Sequence, residues 1–115
     1  MYRVTNPTHK FIFSEPVSDC RELLVTYSQY GHIMLEKHKS DFDFETEEVD
    51  GDTLYTATVV LTQEETKRFN VKRPERNEGT YVQCQVRILY DNGTALASDV
   101  VNVKLKDVLN EEILT

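Results

Sequence analysis

Apolar and polar residues alternate along much of this chain with the period of two that is typical of β-strands with one buried face. The clearest case is Tyr81–Tyr90, in which Gln83, Gln85 and Arg87 alternate with apolar residues. The apolar positions that we expect to be buried are Val82, Cys84, Val86 and Ile88. This segment therefore predicts a strand with one face in the protein core.

Six further segments show similar alternation or an enrichment in β-branched and aromatic residues. They are His9–Ser14, Glu22–Ser28, Ile33–His38, Ser40–Glu48, Thr53–Leu61 and Ala97–Leu105. Turn residues separate the strands roughly every 8–12 residues, a spacing typical of antiparallel sandwiches. In the last segment we expect Val101, Val103 and Leu105 to point inward. The segment Asp50-Gly51 predicts a two-residue type I′ turn between two of the strands.

The sequence thus predicts an all-β fold, a single antiparallel immunoglobulin-like β-sandwich of about seven strands over residues 1–105. One short helix interrupts the strands. Thr62 and Glu65 have the Thr-x-x-Glu spacing of a capping box, in which each side chain binds the backbone N–H of the other residue. We expect this helix to run to about Phe69, with the Phe69 ring lying over the sandwich edge.

Composition narrows the classes of partner. A chain of 115 residues is the size of one domain, and its net charge of −7 disfavours nucleic acids and anionic membranes. The first ten residues, MYRVTNPTHK, lack the apolar segment of a secretory signal, so we expect synthesis in the cytoplasm. In that compartment Cys20 and Cys84 are expected to be reduced thiols.

Residues with catalytic or ligand-binding chemistry do not form a recognisable motif. We interpret His9, His32 and His38 as surface histidines, because none accompanies a nucleophile or a metal partner in the sequence. The chain has no glycine-rich phosphate loop and no zinc-type Cys/His spacing. The sequence therefore predicts no enzymatic activity, no metal and no cofactor.

Acidic residues alternate with two aromatic residues in the fourth predicted strand. Asp41, Asp43 and Glu45 alternate with Phe42 and Phe44, which predicts one solvated acidic face and one buried aromatic face. Their spacing does not match the loop of an EF-hand calcium site. An acidic edge also discourages unwanted pairing with other sheets.

A basic island follows the predicted helix in this otherwise acidic chain. It consists of Lys67, Arg68, Lys72, Arg73 and Arg76. A solvated loop explains these residues, but the island is also able to bind the acidic strand of a neighbouring copy or an acidic patch on another protein. Self-association that does not change between low and high salt would contradict the charge hypothesis.

The last ten residues, 106–115, form a tail that we expect to serve as an interaction arm. Leu109, Ile113 and Leu114 have the spacing of a short amphipathic segment. Such a segment is able to order on a partner surface.

Three segments resemble small proteins of phages and prophages from Firmicutes: NPTHKFIF, VVLTQEETKRF and VQCQVRILYDNGTALASDVVNVKL. Their order is similar to that of the sandwich modules at the N-terminus of phage baseplate upper proteins. The matching residues are Leu61, Thr62, Glu64, Glu65, Phe69, Asn92, Gly93, Ala95, Leu96, Ala97 and Ser98.

The resemblance implies a non-enzymatic virion protein of the capsid, neck, tail or baseplate. Its partners would be other virion proteins and copies of itself, in an oligomeric assembly that begins in the host cytoplasm. The expected contacts are Lys67, Arg68, Arg73 and Arg76 on one side, Asp41, Asp43 and Glu45 on another, and the tail residues Leu109, Ile113 and Leu114.

Two other functions remain open at this point. An acidic protein of this size is able to mimic nucleic acid and block a basic groove, as an anti-restriction or anti-CRISPR inhibitor would. A small carbohydrate- or protein-binding module is the other alternative, with Tyr30, Tyr81 and Tyr90 as candidate sugar-stacking residues.

Overall fold

A computed structural model of the chain describes residues 1–71 and 80–115. Within these residues it contains eight strands, one α-helix and one 3-10 turn. In chain order they are β1 Thr8–Phe13, β2 Glu22–Gln29, β3 His32–His38, the 3-10 turn Lys39–Asp41, β4 Asp43–Val49, β5 Asp52–Val60, α1 Gln63–Lys67, β6 Thr80–Leu89, β7 Ala95–Ala97 and β8 Val101–Leu105.

The strands form two antiparallel sheets. The smaller sheet has the order β1-β5-β4, and the larger has the order β3-β2-β6-β7, with β8 paired to the same strand β6. The predicted all-β sandwich is confirmed, while its immunoglobulin-like classification stays a prediction.

The core lies between the inner faces of the two sheets, and most of the predicted inward positions are confirmed. In the larger sheet, Leu23, Val25 and Tyr27 of β2 are buried. The predicted inward row of β6 is also buried, namely Val82, Cys84, Val86 and Ile88. The smaller sheet contributes Ala57, Val59 and the following Leu61. Both cysteines are free and buried, and burial raises the pKa of the Cys84 thiol to about 11.

A tight turn sets the register of the hairpin formed by β4 and β5. Asp50 and Gly51 both have positive φ (49° and 84°), as a type I′ turn requires, and they join the paired residues Val49 and Asp52. Glycine occupies this position without the steric penalty that a Cβ imposes at positive φ. The turn residues therefore favour the observed pairing of β4 with β5.

The last strand was predicted to be continuous, and this prediction was wrong. The segment is split into β7 and β8, because the backbone N–H of Val86 donates to the Ser98 hydroxyl at 3.0 Å and the chain then leaves the ladder. Val101 is paired with Cys84, so it belongs to the inner face, yet it is 57% exposed. No described part of the three-stranded sheet covers it.

The predicted first residue of the fourth strand, Ser40, was also wrong. Lys39–Asp41 forms a 3-10 turn, and the Asp41 carboxylate accepts the backbone N–H of His38 at 2.8 Å. Aspartate competes with strand pairing in this way by binding nearby backbone groups. The strand itself begins at Asp43.

The predicted capping box of α1 is confirmed. The Thr62 hydroxyl accepts the backbone N–H of Glu65 at 3.1 Å, and the Glu65 carboxylate accepts the N–H of Thr62 at 2.9 Å. Glu65 also forms an ion pair with Lys37 of β3 at 2.8 Å, which fastens the helix to the larger sheet. The helix ends at Lys67, before the predicted end near Phe69.

Phe69 is fully buried instead of lying on the sandwich edge. Its ring packs against that of Tyr27, with 6.1 Å between the ring centroids. The buried Gln29 amide then binds the next residue, donating to the Asn70 carbonyl at 2.8 Å and accepting the Asn70 N–H at 2.7 Å. These contacts fix the chain after α1 against the core.

Replacing Phe69 with alanine should leave a cavity between the helix and β2. We expect Phe69→Ala to lower the free energy of unfolding by about 3–5 kcal/mol, measured by urea denaturation. Tyr81→Ala, at a half-exposed strand position, is the control and should cost about 1 kcal/mol or less. Equal stability losses in the two variants would contradict the packing role of Phe69.

Acid should weaken the attachment of α1. Burial alone raises the pKa of the Glu65 carboxyl, but hydrogen bonds from Lys37 and the Thr62 backbone hold this pKa below its ordinary value of 4.5. A carboxyl with a lowered pKa in the folded state stabilises the fold above its unfolded pKa, and this contribution is lost as the pH falls through the folded pKa.

We therefore expect Glu65→Gln to be less stable than the natural chain at neutral pH, with a difference that shrinks as the pH falls below 4.5. Urea denaturation across this pH range measures the difference. The exposed neighbour Glu64, changed to Gln, provides the matched control. A stability difference for Glu65→Gln that is the same at every pH would contradict the role of the Glu65 charge.

Candidate interaction surfaces

An ion-pair cluster joins the two ends of the chain. The buried Arg3 guanidinium donates through Nη1 to Asp107 at 2.8 Å and to Glu111 of the tail. Its Nη2 donates to the Lys67 carbonyl at the end of α1, at 2.9 Å. A charged group with this little exposure needs such partners to offset its lost hydration. We call Arg3, Asp107 and Glu111 the Arg3 clamp.

A second contact holds the end of the tail. The Gln63 amide donates to the Leu114 carbonyl at 2.8 Å, and its oxygen accepts the Leu114 N–H at 2.8 Å. Gln63 is the first residue of α1, so the tail lies against the helix. The structure thus attaches residues 106–115 to their own domain at two places.

The three tail residues predicted to contact partners differ in the exposure of their side chains. Leu109 is fully exposed and Leu114 is largely exposed, whereas Ile113 is partly buried. Since both attachments use polar atoms, they leave the two leucine side chains free to contact another molecule. The Arg3 clamp and Gln63 were not anticipated from the sequence.

The acidic row is smaller than the sequence predicts. Asp43 and Glu45 are exposed on β4, which forms one edge of the smaller sheet. Asp41 lies in the preceding 3-10 turn and is bonded to His38, so it is not part of the strand. Farther along β4, Glu47 forms an ion pair with Lys10 of β1 at 2.8 Å.

Only part of the predicted basic island lies within the described residues. Lys67 and Arg68 are exposed at the C-terminal end of α1, while Lys72, Arg73 and Arg76 lie outside the described residues. Asp43 pairs with Thr58, near the end of β5 from which the chain enters α1. The acidic row therefore begins toward the end of the sandwich that contains Lys67 and Arg68.

Three aliphatic side chains are exposed beside the core at the outer edge of the larger sheet. They are Leu96, Val100 and Val101, with exposures of 49%, 53% and 57%. Leu96 is paired with the buried Ile88 and Val101 with the buried Cys84, so both lie on the inner face of the sheet. We call these three residues the apolar shelf.

The N-terminal residues cover one end of the same edge. The Met1 ammonium donates to the Lys104 carbonyl at 2.8 Å, and the Lys106 backbone binds the backbones of Met1 and Arg3. Because backbone groups alternate in direction along a strand, Asn102 directs its N–H and C=O to this side as well. Within residues 1–71 and 80–115, no strand pairs with the edge at Asn102.

One of the three histidines is not a surface residue. His9 is half-buried, and its Nδ1 lies 2.7 Å from the Tyr27 hydroxyl in the core. Burial lowers the pKa of His9, which favours the neutral ring. His32 and His38 are exposed, as the sequence predicts.

Comparison with family models, curated proteins and solved structures found no match to this chain. In the described part of the chain, no group of three or more His, Cys, Asp or Glu side chains is arranged to hold a metal ion. No helix among the described residues is long and apolar enough to cross a membrane.

Removing the Gln63 side chain should release the end of the tail. We expect Gln63→Ala to increase hydrogen exchange at the Leu114 amide by about tenfold, because two hydrogen bonds of modest net strength are lost. Exchange at buried amides of β2 and β6 should not change. Gln83→Ala, an exposed glutamine on β6, is the matched control, and equal exchange at Leu114 in both variants would contradict this attachment.

Proposed function

We propose that this chain is a non-enzymatic structural protein of a phage or prophage virion that acts through contacts with other virion proteins and with copies of itself. The observation that supports the proposal most directly is the apolar shelf. It exposes a continuation of the core at a sheet edge, and clustered exposed apolar groups mark sites of protein–protein contact. An open edge also offers backbone hydrogen-bonding groups to a partner.

Two segments on which the phage resemblance rests have defined structural roles. The buried Leu61 follows the core strand β5, and Thr62 caps the helix α1. The hairpin arm that follows Asn92-Gly93 becomes β7, which contributes Leu96 to the apolar shelf. One of the segments that carry the resemblance thus contributes to the apolar shelf, which supports a role in assembly.

Charged surfaces provide further contacts in this proposal. Lys67 and Arg68 project at the end of α1, and Asp43 and Glu45 project from β4. Complementary charges steer partners together and fix their orientation more than they add to affinity. In a capsid, neck, tail or baseplate they would select the neighbouring protein, while the apolar shelf would supply buried contact area.

Particle composition tests the proposed function. Phage particles from a strain that encodes the chain are purified by density gradient, and the copy number of the chain per major capsid protein is measured by mass spectrometry. We expect a constant ratio across independent preparations, because a structural component has a fixed number of sites in the particle.

An abundant cytoplasmic protein of similar size, followed in the same fractions, controls for carry-over. A chain that is absent from the particles and instead forms a salt-sensitive complex with a basic host protein would contradict the virion role and favour the acidic inhibitor.

A further inference from the structure

We propose that copies of this chain associate head to tail, with Leu109 and Leu114 of one copy packed on the apolar shelf of the next. This inference deepens the proposed function and rests on it for the setting in which the contact is used. The partner is a second copy of this chain, and the ligand is the clamped C-terminal tail.

The tail is already ordered in the single chain. In the Arg3 clamp, Arg3 binds Asp107 and Glu111, and Gln63 binds the backbone of Leu114. Binding a flexible arm would lose conformational entropy, whereas a fixed arm has lost most of it on folding. The exposed leucines are therefore presented in a defined place.

The apolar shelf continues the inner face of the larger sheet beyond the buried core. Leu96 and Val101 are in register with Ile88 and Cys84, which the smaller sheet covers. A packed apolar group from outside would extend this core across the uncovered edge. Two exposed leucines match such a surface in chemistry.

The tail begins at one end of the larger sheet, whereas the apolar shelf extends from the middle of β6, where Val101 pairs with Cys84, toward the other end. The tail begins after Leu105, which pairs with Thr80 at the start of β6, while Leu96 pairs with Ile88 near its end. Eight residues of β6 separate these positions by about 26 Å at 3.3 Å per residue. Because Gln63 holds the tail at α1, the contact forms between copies, and the two surfaces differ, so the association is heterologous.

The small contact area and its apolar character determine how strongly one tail is expected to bind one apolar shelf. Five aliphatic side chains bury on the order of 500 Å², which is less than the roughly 1,000 Å² of a stable specific interface. A single contact is therefore weak in solution and becomes stable when it is repeated in an assembly. Since aliphatic side chains form the contact, we expect high salt to weaken it little.

Sedimentation velocity from ~10 μM to ~1 mM, a range that spans weak affinities, tests the inference at low and at high salt. We expect the average mass to rise with protein concentration at both salt levels. Val101→Arg, and separately Leu109→Ser with Leu114→Ser, should each raise the apparent dissociation constant at least about tenfold. All these side chains are exposed, so the fold should persist, and thermal melting checks it.

Ile12→Thr is the matched control, since it removes an equally exposed apolar side chain (60%) from β1 in the smaller sheet. Its association should equal that of the natural chain. A mixture of the Val101→Arg chain and the double tail variant gives the sharpest result. One intact tail and one intact shelf remain in it, so dimers should form and no larger species.

A chain that is monomeric at every concentration would overturn the inference, as would association that high salt abolishes or that Ile12→Thr weakens equally. A salt-sensitive assembly would assign self-contact to the charged surfaces. A chain found at constant ratio in particles but monomeric in solution overturns head-to-tail contact and leaves the virion role intact. Association in solution without incorporation into particles overturns the virion role and leaves the head-to-tail contact intact.

Discussion

The pairing of β2 with β6 is the constraint on which the rest of this structure depends. Its register directs Tyr27 and Cys84 to the same face, and a shift of one residue would turn the buried apolar side chains of the shifted strand outward. Tyr27 receives the ring of Phe69, and Gln29 at the end of β2 binds Asn70. The position of the segment after α1 therefore follows from this pair of strands.

Local patterns predicted much of the fold. Alternation identified the strands because their side-chain period is two, and the capping box of Thr62 and Glu65 was readable because its partners are three residues apart. The exposure of Val101 was not readable, since alternation gives the face of a strand but not whether an opposing sheet covers it. Asp41 was misassigned because a side chain that binds the backbone ends a strand without changing its alternation.

The candidate surfaces were less predictable than the core. Exposure of Lys67, Arg68, Asp43 and Glu45 follows from their charge. The Arg3 clamp joins residues more than one hundred positions apart in sequence, and no local pattern encodes such a pairing. The apolar shelf results from the unequal numbers of strands in the two sheets, a property of the topology as a whole.

Two glutamines perform the same task at different places. Gln29 binds both backbone groups of Asn70, and Gln63 binds both backbone groups of Leu114, each amide replacing one residue of a paired strand. Binding of backbone groups by a glutamine amide does not depend on the side chain of the residue that is bound. At position 114 the main-chain atoms attach the tail and the side chain is exposed, so substitutions there change the chemistry of the surface without detaching the tail.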